Sequence, residues 1–140
     1  MFGTFRKTFK LTAREEQDSA PGMSLGLAAA DEFLGEFAGA TFDNGLYRIH
    51  NGADLKRWNE IVGDAFPKFA RRISCFAYDW LGRHFALDRG RVASGEPLIL
   101  MLEPGTGSAL QIPFTFQSFH NDELVTETDA ALAVRFFREW

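Results

Sequence analysis

Residues 73–116 run ISCFAYDWLGRHFALDRGRVASGEPLILMLEPGTGSALQIPFTF. From Ile73 the hydrophobic period drops to two, which predicts a strand over Cys75–Trp80. Leu81-Gly82 marks a turn, and Arg83–Asp88 reads as the returning strand. There Phe85 and Leu87 alternate with Arg83, Ala86 and Asp88, the pattern of a sheet covered on one face. Arg89–Gly95 reads as a polar loop. Pro97–Glu103 is almost continuously apolar, as expected of a central strand buried on both faces. Pro104-Gly105-Thr106-Gly107 turns the chain again. Ala109–Phe116 pairs back, with Pro113 marking an edge or an end because it has no N–H to give a ladder.

On the N-terminal side, Asp54–Phe66 is the clearest helix. Leu55, Trp58, Ile61, Val62 and Phe66 recur at helical spacing, Asp54 is a candidate cap, and Pro67 ends the run. Asp43-Asn44-Gly45 signals a turn between two apolar pieces, the second being Leu46–Ile49. Met23–Phe37 reads as a helix capped by Ser24. The first ten residues suit a short helix or strand. On the C-terminal side, Asn121 or Asp122 caps a short helix. Ala130, Val134 and Phe137 fall on a second helix, with Trp140 nearby. Segregated runs of this kind give an α+β class: a single domain, 1–140, with a mainly antiparallel sheet flanked by helices.

Composition agrees. The 140 residues are 46% hydrophobic and 24% charged, with fifteen Phe and three Trp. A chain of this length buries about two thirds of its unfolded surface without disulfides or metals. The lone Cys75 forms no internal disulfide and reads as a buried structural thiol. No apolar run approaches membrane length, and MFGTFRKTFKLTAREE lacks the apolar core of a signal peptide, so the expected location is cytoplasmic and no membrane partner is expected. Net charge is −4. The interval between Arg91 and Arg135 holds no Lys or Arg but contains Glu96, Glu103, Asp122, Glu123, Glu127 and Asp129. Such a segment repels nucleic acid and attracts a basic partner, or simply aids solubility.

Chemistry-bearing groups are sparse. His50, His84 and His120 are too far apart in sequence for a helical metal pair, and no metal or cofactor is expected. Asp79, His84, Asp88 and Glu103 meet only if the hairpin and the following strand bring them together; otherwise Asp79 and His84 form a surface pair. Pro104–Gly107 lacks the spacing and lysine of a phosphate loop. His120-Asn121-Asp122-Glu123 is a polar knot after Phe114, Phe116 and Phe119. It serves either as a helix cap or as part of a binding face.

Several strings occur together: Leu46–His50, Phe76–Arg83 (FAYDWLGR), Phe85–Asp88, Leu102–Gly107 (LEPGTG), Phe119–Leu124 (FHNDEL), and Phe136-Phe137 with Trp140. In combination, residues 42–140 resemble the C-terminal domain of type VI secretion immunity proteins that neutralise DNase effectors. In that family a GAD-like region often precedes the domain; residues 1–41 would be a shorter, helical N-terminal part. More weakly, the layout is similar to the SUKH superfamily of α+β immunity and regulatory domains.

The resemblance implies a non-enzymatic bacterial immunity protein that binds a cognate toxin, expected to be a basic nuclease. An acidic inhibitor docks fast on a basic enzyme. The expected contact residues are Glu103, His120, Asp122 and Glu123, with Asp79 and Arg83 behind them, and Tyr78 or an exposed Trp as anchor. The alternatives are a small-ligand-binding or regulatory domain of the same fold, or a hydrolase using Asp79, His84 and Asp88.

Overall fold

The computed structural model describes residues 2–15 and 24–133. Their fold is α+β. Seven strands form one antiparallel sheet whose spatial order is the chain order. They are β1 (Leu11–Arg14), β2 (Ala40–Phe42), β3 (Tyr47–Ile49), β4 (Ile73–Asp79), β5 (His84–Ala93), β6 (Glu96–Glu103) and β7 (Ser108–Thr115). Short helices α1 (Gly3–Thr8) and α2 (Ala28–Phe37) precede β2, and α3 (Gly52–Ala65) separates β3 from β4. A broken helical segment follows β7: α4 (Phe116–Ser118), a π-helical turn (Phe119–Glu123), α5 (Leu124–Thr126) and α6 (Thr128–Leu132).

The pleat sorts the core into two clusters. Phe76, Phe85, Leu87, Ile99 and Met101 face a layer built from Phe2, Phe5, Phe33, Leu34, Phe37, Phe116, Phe119 and Leu124. Cys75, Ala86, Leu100 and Leu102 face Val62 and Phe66. Strand β6 therefore alternates Ile99 and Met101 to one side with Leu100 and Leu102 to the other, which accounts for its unbroken apolar run. The same holds for β5, where Ala86 and Asp88 are buried as well as Phe85 and Leu87. The expected one-sided strand is covered on both faces.

Several element ends differ from expectation. Strand β5 continues through Arg89–Ala93 instead of looping out, because an irregularity between Asp88 and Val92 absorbs the polar residues. The cap of α3 is Asn51, whose side chain accepts from the N–H of Asp54 at 2.9 Å. The helix after β7 starts earlier than expected, at Phe116, through a reciprocal box between Thr115 and Ser118. Helix α2 starts at Ala28, and Ser24 instead donates to the carboxylate of Asp31 at 2.7 Å. The N-terminal part is not purely helical: it contributes β1, an outer strand of the sheet. Asp43 and Asn44 adopt positive φ within the turn before β3, followed by Gly45 at φ 106°. A Cβ on Gly45 would lie 2.8 Å from the Arg48 guanidinium. The continuation of the last helix through Val134 and Phe137 to Trp140 lies outside the described residues.

Strand β3 ends at Ile49, so at Cys75 β4 keeps β5 as a neighbour, through Ala86, but has no strand on its β3 side. Asn59 of α3 fills the gap: its Oδ1 accepts from the Cys75 N–H at 2.7 Å, and its Nδ2 donates to the Cys75 carbonyl at 3.4 Å. One amide side chain thus ties the helix to the open stretch of strand.

Candidate functional site

Asp79 closes β4, and its side chain is fully buried. Its Oδ1 accepts from the N–H groups of Leu81 and Arg83, each at 3.0 Å, and its Oδ2 accepts from Arg83 Nε at 2.7 Å. Burial pushes the carboxyl up from its usual range, and the Arg83 guanidinium and these amides pull it back in part. The same guanidinium donates to the Ala131 carbonyl at 3.1 Å, while Trp80 Nε1 donates to the Leu132 carbonyl at 2.9 Å. The DWLGR string is therefore a tight turn, with Gly82 at φ 75°, that caps the last carbonyls of α6.

His120 sits on the π-helical turn with no exposed surface. Its Nδ1 lies 2.8 Å from the Phe116 carbonyl, so that nitrogen carries the proton. Its Nε2 then accepts from the Tyr47 hydroxyl at 2.8 Å. Phe33 and Phe116 rings lie 4.4 Å away, centroid to centroid. In this apolar surround burial pushes the imidazole down to about 3 and raises the Tyr47 phenol.

Asp88 is fully buried between two arginines. Arg72 pairs with it as an ion, its Nε 2.9 Å from Oδ1, and its Nη2 donates to Oδ2 at 3.1 Å. Arg91 lies 3.5 Å from Oδ2 and donates to the carbonyls of Ile99 and Ile112, each at 3.0 Å. These carbonyls flank the place where Pro113 interrupts the β6–β7 ladder, with the register slipping between Leu98 and Ile99.

The hydrolase constellation does not assemble. Asp79 pairs in register with Tyr47, on the face covered by the main core. His84 pairs with Leu102, on the opposite face. Asp88 shares the face of His84 but lies four residues along the strand, about 13 Å away. Asp79 and His84 are both buried rather than a surface pair. No group of three or more His, Cys, Asp or Glu arranged to hold a metal ion occurs among the described residues.

The expected contact set is split in the same way. Asp79, Arg83 and His120 serve the interior, because each is satisfied there by the bonds just described. Asp122 is exposed, and Glu103 and Glu123 are half-buried at the surface. These three remain available to a partner.

A second group was not legible as a site. His50, at the end of β3, stacks on Trp58 of α3 (5.8 Å between centroids) and lies beside Tyr78 of β4 (4.9 Å) and His84 of β5 (5.6 Å). Trp58 and Tyr78 are half-buried, 6.3 Å apart and nearly parallel. The Arg57 guanidinium lies 5.8 Å from the Trp58 ring centre and that of Arg48 lies 6.0 Å from the Tyr78 ring centre. Beneath the two larger rings, His50 Nε2 and His84 Nδ1 are buried without a hydrogen-bond partner. Burial holds the two imidazoles at about 3 and about 4, and each stays neutral near pH 7. Tyr78 was expected as an anchor on the resemblance, as a residue type that interfaces favour. Trp58 read as a core residue because it falls on the apolar stripe of α3, and only the fold shows that its ring stays half-buried against His50, Tyr78 and His84.

An open groove also runs beside α3, lined by Lys56, Asn59, Glu60, Gly63, Asp64 and Ala70. None of the suspected catalytic residues lines it. No helix among the described residues is long and apolar enough to cross a membrane. Set against known proteins, the chain matches no family model, and no curated protein or solved structure matches it at a significant level.

Proposed function

We propose that the chain is a non-enzymatic, cytoplasmic immunity protein that binds and neutralises a cognate toxin, expected to be a basic nuclease. One observation carries the binding reading. The half-buried Trp58–Tyr78 pair, flanked by Arg48 and Arg57, places at the surface the residue types in which protein interfaces concentrate their energy. Two of the three suspected catalytic groups support it from the other side: Asp79 and Asp88 are tied into internal bonds. The toxin and its nuclease character rest on the resemblance of residues 42–140. The acidic Glu103, Asp122 and Glu123 supply the charge that would speed docking on a basic partner.

The test is co-purification with the products of neighbouring reading frames, followed by calorimetry on the captured pair. Trp58→Ala is expected to weaken binding by about 2 kcal/mol or more, as removal of an interface anchor does. Asp122→Lys with Glu123→Lys is expected to slow association and flatten its dependence on salt. A partner bound equally well by all these variants removes both surfaces from the reading. The groove beside α3 supports the small-ligand alternative, and a metabolite retained through purification and lost on Gly63→Leu would favour it.

A further inference from the structure

The two outer strands of the sheet differ sharply. Strand β1 has four residues, ends in Arg14, and its register with β2 slips between Leu11 and Ala13. Shortness, charge and irregular register are the devices that keep a sheet edge from recruiting another strand. Strand β7 has eight residues, SALQIPFT, with no charge among them. Ser108 through Gln111 are exposed, Leu110 at 56%. No described strand pairs with its outer side.

The alternation of backbone groups can be placed. Arg91 reaches the Ile112 carbonyl from the β5 side, so Ile112 points back toward β6. Ser108 and Leu110 then point inward with it, and Ala109 and Gln111 turn their N–H and C=O groups outward. Pro113 is the next outward position, and without an N–H it ends the usable edge. The open segment is thus short, uncharged and centred on Leu110.

We propose that β7 pairs antiparallel with β7 of a second copy of this chain, about a two-fold axis at Leu110. Ala109 then exchanges hydrogen bonds with Gln111 of the second copy, and Gln111 with Ala109, while the two Leu110 side chains cover one another. A second copy fits because the strand carries no charge, so pairing it with itself sets no like charges in opposition. The two-fold arrangement makes each contact twice and closes after two copies. Residues around Trp58 and Tyr78 lie on α3 and β4, three strands from this edge, and take no part.

Sedimentation or light scattering of the full chain from about 1 to about 200 µM, the range in which modest interfaces associate, reads the outcome. The expected result is a mass that rises toward twice that of the monomer. Leu110→Lys, which opposes two like charges, and Gln111→Pro, which removes an outward N–H, each shift the midpoint by at least about tenfold. Both sites are exposed, and an unchanged circular-dichroism spectrum with a cooperative unfolding transition confirms that the variants are folded. Leu110→Cys tests the register. Facing residues of an antiparallel pair have Cα atoms about 4.5–5.5 Å apart, within disulfide range, so mild oxidation is expected to cross-link the dimer through that position. The native Cys75 is fully buried and does not compete. A monomer over the whole range, a dimer indifferent to Leu110→Lys and Gln111→Pro, or a dimer that Leu110→Cys does not cross-link overturns the proposal.

Discussion

The indole N–H of Trp80 donates to the carbonyl oxygen of Leu132, 2.9 Å away, joining the β4–β5 turn to the end of α6. Arg83 does the same for Ala131 while neutralising Asp79. The consequences of removing the two differ. Trp80→Phe loses one hydrogen bond of a half-buried group, at about 1 kcal/mol. Arg83→Ala leaves a fully buried carboxylate without its partner, at about 3–5 kcal/mol. Chemical denaturation of the two variants checks the order. The double variant Asp79→Asn, Arg83→Ala is expected to recover part of the loss, because no charge is then stranded.

Tyr47→Phe tests the buried pair at the centre of the aromatic layer. It deletes the hydroxyl that donates to His120 Nε2 and strands an acceptor in an apolar surround, costing about 1–3 kcal/mol. The affected groups join β3 to the π-helical turn. Hydrogen exchange is expected to rise first in residues 116–126.

Stability is expected to fall as pH drops below neutrality. In the unfolded chain an imidazole titrates near 6.5, whereas folded His120 titrates at about 3. Between these values the unfolded chain binds the proton and the folded chain does not. The contribution is therefore complete above about pH 6.5 and is lost at about 1.4 kcal/mol per pH unit down to about pH 3. His50 and His84 act with the same sign. Asp79, with its carboxyl raised by burial, acts with the opposite sign, in the carboxylate range only. Denaturation midpoints at pH 7 and pH 5 measure the slope, and His120→Gln is expected to flatten it.

Cys75 provides a probe of opening. Its thiol has no exposed surface, and burial pushes it up to about 12. An aromatic disulfide reagent is expected to leave the folded protein unlabelled at pH 8, with labelling at the rate of local or global unfolding. Asn59→Ala, which frees both backbone groups of Cys75, is expected to raise that rate before it changes the overall fold.

The strands from β4 to β7 were legible because their hydrophobic period is set by the pleat, which each residue reports locally. The α+β class followed from them. Asp88 was not legible as a buried ion. Its partners Arg72 and Arg91 lie on either side of it in sequence and meet it only when β5 folds through its irregularity. Asp79 and His120 were mistaken for surface groups for a related reason. A polar residue beside a turn or cap normally faces water, and nothing local shows that α6 or α1 will cover it. The Trp58–Tyr78 surface depends on how α3 sets Trp58 against Tyr78 and His84, which is a property of packing rather than of periodicity.

The chain-order sheet also orders the way this protein is made. Apart from β3 and β4, which α3 separates, each strand from β2 onward finds its neighbour close by in sequence, so β2–β3 and then β4 to β7 can pair one after another as the chain leaves the ribosome. The aromatic layer cannot be finished in that sequence. Phe2 and Phe5 pack on Phe116 and His120, more than a hundred residues later. Phe2 and Phe5 thus wait for partners far along the chain, and a ribosome stalled before Phe116 holds a sheet whose Phe-rich side is still open to chaperones and to its own neighbours.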